Sequence, residues 1–301
     1  MRLPQIMKRM LLLLGLAVGL LGSVAVAAFE MKDGDLRTIF YARSEVPVAW
    51  RYTPGKDVYV LDMPGLELLG RTFNRATQLT EQQYTEAYPR VLTTDELTRY
   101  IGNAQRTFAN FAAGHDLRVS DLVQFFHLAD RDKVELFPEE YALRDFLLEQ
   151  GVMKEWRGFY TAQKPHAVIL SIPQVQDRRG NEPAVTNQGR YAILLHELSH
   201  AEYHSNEAYK RYATAFWENG LTAAQREAFK KFLAAMRYSV ANEDLVINEM
   251  QAYLMFTPDG GAFSAARLGV SESALAAMRD SFMRGRPPVQ LPLRAKAGDL
   301  P

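Results

Sequence analysis

Cysteine is absent from this chain of 301 residues, and its absence limits both how the fold is held together and how a metal can be bound. No disulfide can cross-link the chain, so stability has to come from a buried core, which a 48% content of apolar residues can supply. No thiolate is available as a nucleophile, a zinc ligand or an iron–sulfur ligand. Any metal would therefore have to be held by histidine and carboxylate side chains.

The charges are balanced, with 35 lysine and arginine residues against 35 aspartate and glutamate residues. A general nucleic-acid binder needs clustered positive charge against the phosphates, so this balance argues against that class of protein. The length of the chain predicts one or two domains.

The first 28 residues are the most biased stretch of the sequence. Three basic residues lie among the first nine positions, residues 10–28 carry no charge, and Ala25-Val26-Ala27 fits a small-x-small cleavage pattern. Residues 1–27 are therefore expected to be a cleaved signal peptide, which places the folded part in the periplasm or outside the cell if the source is bacterial. The alternative is a retained membrane anchor, because about 19 uncharged residues nearly span a bilayer core of ~30 Å.

Short strand patterns precede a mainly helical second half. Strands are expected at Val48–Tyr52, at residues 58–62 and at residues 167–172. A capping-box pattern that begins at Thr93 predicts a helix that runs to Gly114. Further helices are expected at residues 191–204, 207–218, 223–238, 243–256 and 272–284. This order predicts an α+β fold, with small N-terminal sheet elements and a mainly helical C-terminal half.

Residues 196–200 read His-Glu-Leu-Ser-His within one of these expected helices. The four-residue spacing puts His196 and His200 on one face, one turn apart, so both imidazoles can reach a single metal ion. Glu197 is offset by one residue and lies beside that ion, where a carboxylate can take a proton from a water and pass it to a leaving amine. The alternative is an accidental pattern, with one histidine exposed and the other satisfied by a hydrogen bond.

A catalytic zinc ion normally takes three protein ligands and keeps one position for water, so a third ligand is needed. The metzincin pattern fails, because Tyr203 and Asn206 stand where it has glycine and histidine. His204 lies one further turn along the helix, which is too far for the same ion. This histidine is expected either to line the cleft or to be exposed.

Glu249 is the expected third ligand. Its neighbours three and four positions away on either side are apolar or aromatic, which puts its carboxylate on the apolar face of the helix at residues 243–256. An unpaired carboxylate is costly there, and a metal would explain it. The alternative is a buried salt bridge to an arginine or lysine. Glu243, the nearest competitor, begins the helix beside Asn242, where interaction with the helix dipole is a sufficient role.

The His-Glu-x-x-His motif, followed about fifty residues later by an Asn-Glu-x-x-Ala-Tyr helix, resembles the gluzincin branch of zinc metallopeptidases. The stretch from His196 to Tyr209, together with the Asn-Glu-x-x-Ala-Tyr helix, is also similar to an uncharacterised family of exported bacterial proteins. The resemblance covers roughly residues 160–257. It implies a zincin-like fold in which Glu249 is a zinc ligand beside the two histidines. It also implies that the strand at residues 167–172 is an edge strand that binds extended peptides by β-augmentation.

Two positions depart from that family. Glu202 stands two residues after His200, where zincins usually have an apolar residue, and Tyr253 stands where thermolysin-like enzymes often have an acidic one. Such an acid would orient a ligand histidine, so another group must do that work here. Tyr253 or Tyr203 is expected either to hydrogen-bond the tetrahedral oxyanion or to belong to the core.

The leading interpretation is an exported zinc-dependent metallopeptidase that acts on a peptide or protein substrate, with Glu197 as general base. One alternative is a zinc-bearing binding or scaffold protein without turnover, although a site that only holds metal would not need Glu197. Another is a zinc hydrolase of a non-peptide amide, such as a cell-wall component. Nucleic acid is not an expected partner, and a membrane is expected only if the N-terminal segment is retained.

Three regions are expected after the N-terminal segment. They are a mixed region of unknown role at residues 28–157, a zincin-like metallopeptidase region at residues 158–290 and a loose tail at residues 291–301.

N-terminal sequencing of protein recovered outside the cytoplasm tests the export prediction. Because small residues close the uncharged run, the first residue should be Ala28 or Phe29. An intact Met1 in a membrane fraction would support the anchor instead.

Overall fold

The computed structural model describes residues 29–81, 89–296 and 298–301, so the signal-peptide prediction for residues 1–27 lies outside the described residues. The strands are β1 (Glu30–Gly34), β2 (Val48–Tyr52), β3 (Val58–Met63), β4 (His115–Arg118), β5 (Met153–Trp156), β6 (Phe159–Ala162) and β7 (Val168–Pro173). The helices are α1 (Leu36–Tyr41), α2 (Leu66–Thr80), α3 (Thr94–Asn103), α4 (Phe108–Phe111), α5 (Val119–Asp132), α6 (Pro138–Glu149), α7 (Asn187–Ser205), α8 (Glu207–Ala215), α9 (Ala223–Ala235), α10 (Glu243–Phe256), α11 (Ala265–Leu268) and α12 (Glu272–Gly285). A π-helical turn, Phe216–Gly220, follows α8. Within these described ranges, no helix combines the length and the apolar character needed to cross a membrane.

The fold is a mixed α+β arrangement, as the sequence predicted. Five strands form one sheet in the order β1-β2-β3-β7-β4, and β5 and β6 form a separate hairpin. β3 and β7 are parallel, with Val58 opposite Val168, whereas β4 runs antiparallel to β7. β4 is therefore the edge of the sheet, and β7 lies inside it.

Both faces of the sheet are covered, which is why β3 and β7 are buried at every position. Successive side chains of a strand point to opposite faces. Val58 and Val60 join the core that includes α7 and α10, whereas Tyr59 and Leu61 join the core that includes α2, α5 and α6. The helix with the His-Glu-x-x-His motif thus lies on one face of the sheet, against the helices of the C-terminal half.

Two expectations about the elements near this helix are wrong. The strand expected at residues 167–172 exists as β7, but it is not an edge strand, because β3 and β4 both pair with it. The helix expected to run to Gly114 ends at Asn103, and Gln105 then adopts left-handed backbone with a φ of 56°. After this turn the chain passes through the short helix α4 and enters β4. β4 has only four residues, which is too short to show a clear periodicity in the sequence.

The expected boundary between residues 157 and 158 does not separate two structural units. It falls inside the β5–β6 hairpin, in which Trp156 pairs with Phe159. The main sheet takes β1 to β4 from one side of this boundary and β7 from the other. Hydrogen bonding along β7 therefore joins the two expected regions into one sheet.

The tail expected to be loose at residues 291–301 is docked onto the fold where the structure describes it. Leu291 is buried in the core of the C-terminal helices. The backbone N–H of Arg294 donates to the carbonyl of Met255 at 2.9 Å, and the carbonyl of Pro301 accepts from the hydroxyl of Tyr41 at 2.9 Å. A buried leucine and these bonds to α10 and α1 hold the segment in place.

Arg190, in the first turn of α7, is fully buried and fixes this helix to the sheet. Its guanidinium donates to the two carboxylate oxygens of Asp62 at 2.7 and 2.8 Å and to the carbonyl of Pro173 at 2.6 Å. It also donates to the carbonyls of Ile39 and Phe40 at 2.7 and 3.2 Å. All five N–H groups are used. Because the partners belong to α1, β3 and β7, one side chain joins four elements at the start of α7.

Replacing Arg190 by methionine should lower the free energy of unfolding by about 3–5 kcal/mol, because the buried Asp62 carboxylate loses its counter-charge. Urea unfolding followed by circular dichroism measures the loss. The double variant Arg190→Met, Asp62→Leu should recover part of it, since no unpaired charge then remains. Arg51→Ala, which breaks the exposed pair with Asp33, is the control and should leave the urea midpoint nearly unchanged. Equal midpoints for Arg190→Met and the parent would contradict this account.

Candidate metal centre

The helix α7 places the two histidines of the motif. It begins where the hydroxyl of Thr186 accepts a hydrogen bond from the backbone N–H of Gly189, and it continues without interruption to Ser205. His196 and His200 lie one turn apart with their ring centroids 4.7 Å from each other. Their exposed fractions are only 9% and 1%, so both imidazoles are almost removed from water.

The structure brings Glu249 of α10 to these two rings. Its Oε2 lies 3.6 Å from Nε2 of His196, and its Oε1 lies 3.8 Å from Nε2 of His200. Ligand atoms bonded to one tetrahedral zinc ion lie about 3.4 Å apart, so a small adjustment would let all three residues bind one ion.

The surroundings of Glu249 also fit a cation. The residue is 1% exposed, and within the described ranges its Oε2 has no hydrogen-bond partner and no arginine or lysine pairs with it. A buried carboxylate oxygen without a partner is costly. The salt bridge considered as an alternative from the sequence is therefore not formed by the described residues, and a metal ion would satisfy the orphaned oxygen.

Two neighbouring side chains orient the histidines. Thr257 Oγ1 lies 2.9 Å from Nδ1 of His196, and because this hydroxyl donates to the carbonyl of Ala252 it accepts from the ring. Asn248 Oδ1 accepts from Nδ1 of His200 at 2.9 Å. With the proton on Nδ1, Nε2 of each ring is free to bind a metal. Thr257 and Asn248 are therefore the groups that orient the two histidines.

Glu197 lies next to the edge of the sheet. It is 5% exposed, and its carboxyl group packs against Gly114, where a Cβ atom would force this carboxyl group to move. Glu197 forms a second group of possible metal-ligating atoms with His200 and Asp116, all within 4.8 Å of one another. A carboxylate is therefore held beside the point where His196 and Glu249 converge.

Asp116, on β4, is a residue of the site that the sequence analysis missed. Its Oδ1 lies 3.7 Å from Nε2 of His200, and its Oδ2 lies 3.5 Å from Nε2 of His204. No pattern in the sequence marks it, because only the pairing of β4 with β7 brings it to α7. His204, with a side chain 13% exposed, faces this carboxylate and does not reach into open solvent.

Burial controls the protonation of the group. It raises the pKa of Glu249 to about 7 and raises the pKa of Glu197 well above its usual range, with the nearby Asp116 carboxylate adding to both effects. Burial lowers the pKa of His196 to about 4, so this imidazole is neutral and keeps a lone pair for a metal. At Asp116, burial opposes ionisation, but the neighbouring His200, His204 and His196 outweigh it and lower the pKa. A positive ion would relieve the crowding of these carboxylates.

The two tyrosines named from the sequence lie in different places. The ring of Tyr253 packs against His196 with centroids 4.6 Å apart and lines a cleft of about 700 Å³ that opens onto His196 and Glu197. Tyr203 is fully buried, and its hydroxyl donates to Asp244 at 2.8 Å, so this proton is already engaged. Tyr238, which the sequence analysis did not single out, lines the cleft together with Tyr253.

Glu243, the competitor for the third ligand, accepts a hydrogen bond from Nε1 of Trp217 at 3.1 Å and lies in the first turn of α10 behind its N-cap, Asn242. It takes no part in the groups of possible metal ligands. His115, next to Asp116 on β4, is buried, and its two ring nitrogens are hydrogen-bonded to Ser171 and Asn74 at 2.8 and 3.0 Å.

Comparison of this chain with protein-family models, with curated proteins and with solved structures finds no match. Two groups of histidine and acidic side chains therefore identify a possible metal centre, and they share His200: one is His196, His200 and Glu249, and the other is Asp116, Glu197 and His200.

Thr257→Val should weaken the affinity for Zn²⁺ about 10–100-fold, because His196 loses the acceptor that holds its proton on Nδ1. Titration of metal-free protein with Zn²⁺ by isothermal calorimetry measures the change. Thr72→Val is a matched control, since this buried hydroxyl also donates to a backbone carbonyl of its own helix but contacts no histidine. Equal affinities for the Thr257 variant and the control would show that this contact does not orient the ring.

Proposed function

We propose that this protein is an exported zinc-dependent metallopeptidase of the gluzincin type, with a zincin-like arrangement of its active-site helix. The observation that carries the proposal is the convergence of His196, His200 and Glu249 on one point. Two imidazoles and a carboxylate are the donor set of the catalytic zinc in one branch of metallopeptidases. The charged start and uncharged run of residues 1–27 support export.

Zinc bound by these residues would supply a Lewis acid for the scissile carbonyl and would lower the pKa of a water to about 7. Glu197 takes the proton of the attacking water on its carboxylate and passes it to the leaving amine. The position of Glu197, which is 5% exposed and lies in one group of close side-chain atoms with His200, favours this role. Tyr253, whose ring lies against His196 in the cleft, is the candidate that donates to the oxyanion.

The edge of the sheet supports a peptide as substrate. β4 is paired on one side by β7, and among the described residues no strand pairs with its other side. An extended peptide can add to such an edge through its main chain. Because Gly114 directly precedes β4 and lies against Glu197, a peptide bound along this edge would pass the metal centre. β4 therefore takes the role that the sequence had assigned to residues 167–172.

Glu197→Gln separates catalysis from metal binding. The variant keeps the size of the side chain and removes the base, so it should keep stoichiometric zinc and its melting temperature. Hydrolysis should fall about 10²–10⁴-fold, which is the range of general-base contributions. A peptide from a proteome-derived library, first shown to be cleaved by the zinc-loaded parent, serves as the substrate.

Glu202→Gln is the matched control, because Glu202 lies on the same helix and its carboxylate accepts a hydrogen bond from the amide of Asn206, away from the candidate ligands. It should cleave at the rate of the parent. If the zinc-loaded parent cleaved no peptide of the library, a scaffold or a hydrolase of non-peptide amides would replace the proposal. If Glu197→Gln cleaved as fast as the parent, the activity would belong to another site.

A further inference from the structure

The cleft that opens onto His196 and Glu197 is lined by three arginines from separate parts of the chain. Arg106 lies between α3 and α4, Arg237 follows α9, and Arg267 lies in α11. None of the three forms an ion pair with an acidic side chain in the ranges that the structure describes. The cleft therefore holds positive charge that the ion pairs of the fold do not neutralise.

These arginines lie where the cleft meets a neighbouring cavity of about 660 Å³. Arg106 and Arg267 line both spaces, and so does the residue that precedes Arg237. His196 and Glu197 line the cleft but not the neighbouring cavity. The positive charge thus belongs to one end of the cleft, and the candidate metal centre lies at another part of its wall.

Acidic residues near this end do not cancel the charge. Asp259 lines the cleft, and its Oδ1 accepts a hydrogen bond from the backbone N–H of Gly261 at 2.8 Å, which closes its own turn. In the neighbouring cavity, Glu227 and Lys231 carry one charge of each sign. One aspartate against three arginines leaves this end of the cleft positive.

The three guanidinium groups have donors to spare. Arg237 lies over the ring of Tyr100, 4.9 Å from its centroid, and its Nη1 donates to the carbonyl of the same residue at 3.4 Å. Nη1 of Arg106 donates to the carbonyl of Asn110 at 3.1 Å, and the side chain of Arg267 has no hydrogen bond to any described residue. A guanidinium has five N–H groups, and its fork fits a carboxylate. Most of these donors are therefore free for a ligand.

The segment before β4 connects the arginines to the edge of the sheet. Residues 110–114 line the cleft, and Gly114 at the end of this segment packs against Glu197. A peptide that adds to β4 and passes the metal centre would continue along this segment toward Arg106. A carboxylate on the peptide, a few residues from the scissile bond, would then reach the guanidinium groups.

We propose that Arg106, Arg237 and Arg267 form a carboxylate subsite of the cleft, which makes a negatively charged peptide the preferred ligand. The negative charge is supplied by an acidic side chain or by the C-terminal carboxylate, since both present the same group to an arginine. The inference rests on the proposed function, because it names the substrate class of that same cleft.

Peptide binding tests the subsite without any hydrolysis. Fluorescence anisotropy is measured on zinc-loaded Glu197→Gln protein, with alanine-rich peptides that carry one uncharged dye. One peptide contains glutamates, its partner contains glutamines at the same positions, and each is made with a free and with an amidated C-terminus. Because ion pairs of exposed side chains are individually weak, the charged member of one pair should bind about 10-fold more tightly. The pair that shows this preference identifies the source of the carboxylate.

The preference should depend on the arginines. Arg267→Gln removes one of three charges and should lower the preference about 3-fold, and Arg106→Gln should act in the same direction. Both side chains are exposed, so these variants should fold. Arg99→Gln is the control, because this exposed arginine of α3 lines neither cavity and its loss changes the net charge equally. It should keep the full preference.

Failure of the subsite and failure of the proposed function give different results. Binding of none of these peptides, or equal binding within both pairs, would overturn the subsite. A preference that survives in the Arg106 and Arg267 variants but is lost in Glu249→Gln would place the carboxylate on the metal and overturn it as well. Hydrolysis of charged and uncharged peptides at equal rates by the parent would keep the proposed function and overturn the subsite. Preferential binding without any hydrolysis by the zinc-loaded parent would do the reverse.

Discussion

The buried guanidinium of Arg190 sets the position of the helix that carries the two histidines of the candidate metal centre. Its five N–H groups are shared between the carboxylate of Asp62 on β3 and three backbone carbonyls, of which two belong to α1 and one to β7. A buried charge is tolerated only where its partners are already in place. The start of α7 is therefore fixed against the sheet. Because α7 is continuous, this also fixes where His196 and His200 lie relative to the sheet.

The same sheet brings negative charge to the histidines. β4 joins the edge of the sheet beside β7 and carries Asp116 to α7, while Glu249 arrives from α10 on the other side. Burial raises the pKa of Glu249 and Glu197, which means that bringing these carboxylates together is unfavourable without a cation. Metal binding and folding should therefore be coupled in this protein, because the ion stabilises an arrangement that the chain alone makes costly.

Much of the candidate site could be predicted from local patterns. The spacing of His196 and His200 needs only a helix, and the cap at Thr186 and the apolar run before the motif indicate one. The position of Glu249 follows from the apolar face of α10. Asp116 could not be found in this way, since it lies on a strand of four residues, which is too short for a periodicity to mark it.

Helices, their caps and the two faces of α7 and α10 were determined by the sequence itself, because contacts three and four residues apart create them. Only the tertiary structure decided which strand is the edge and which acids surround the histidines. The sequence made residues 167–172 the best strand but could not show that β4 would pair beside it, since strand pairing joins residues far apart in the chain. Because of that pairing, the open edge of the sheet is His115–Arg118. The same pairing places Asp116 between His200 and His204, where its carboxylate faces both imidazoles.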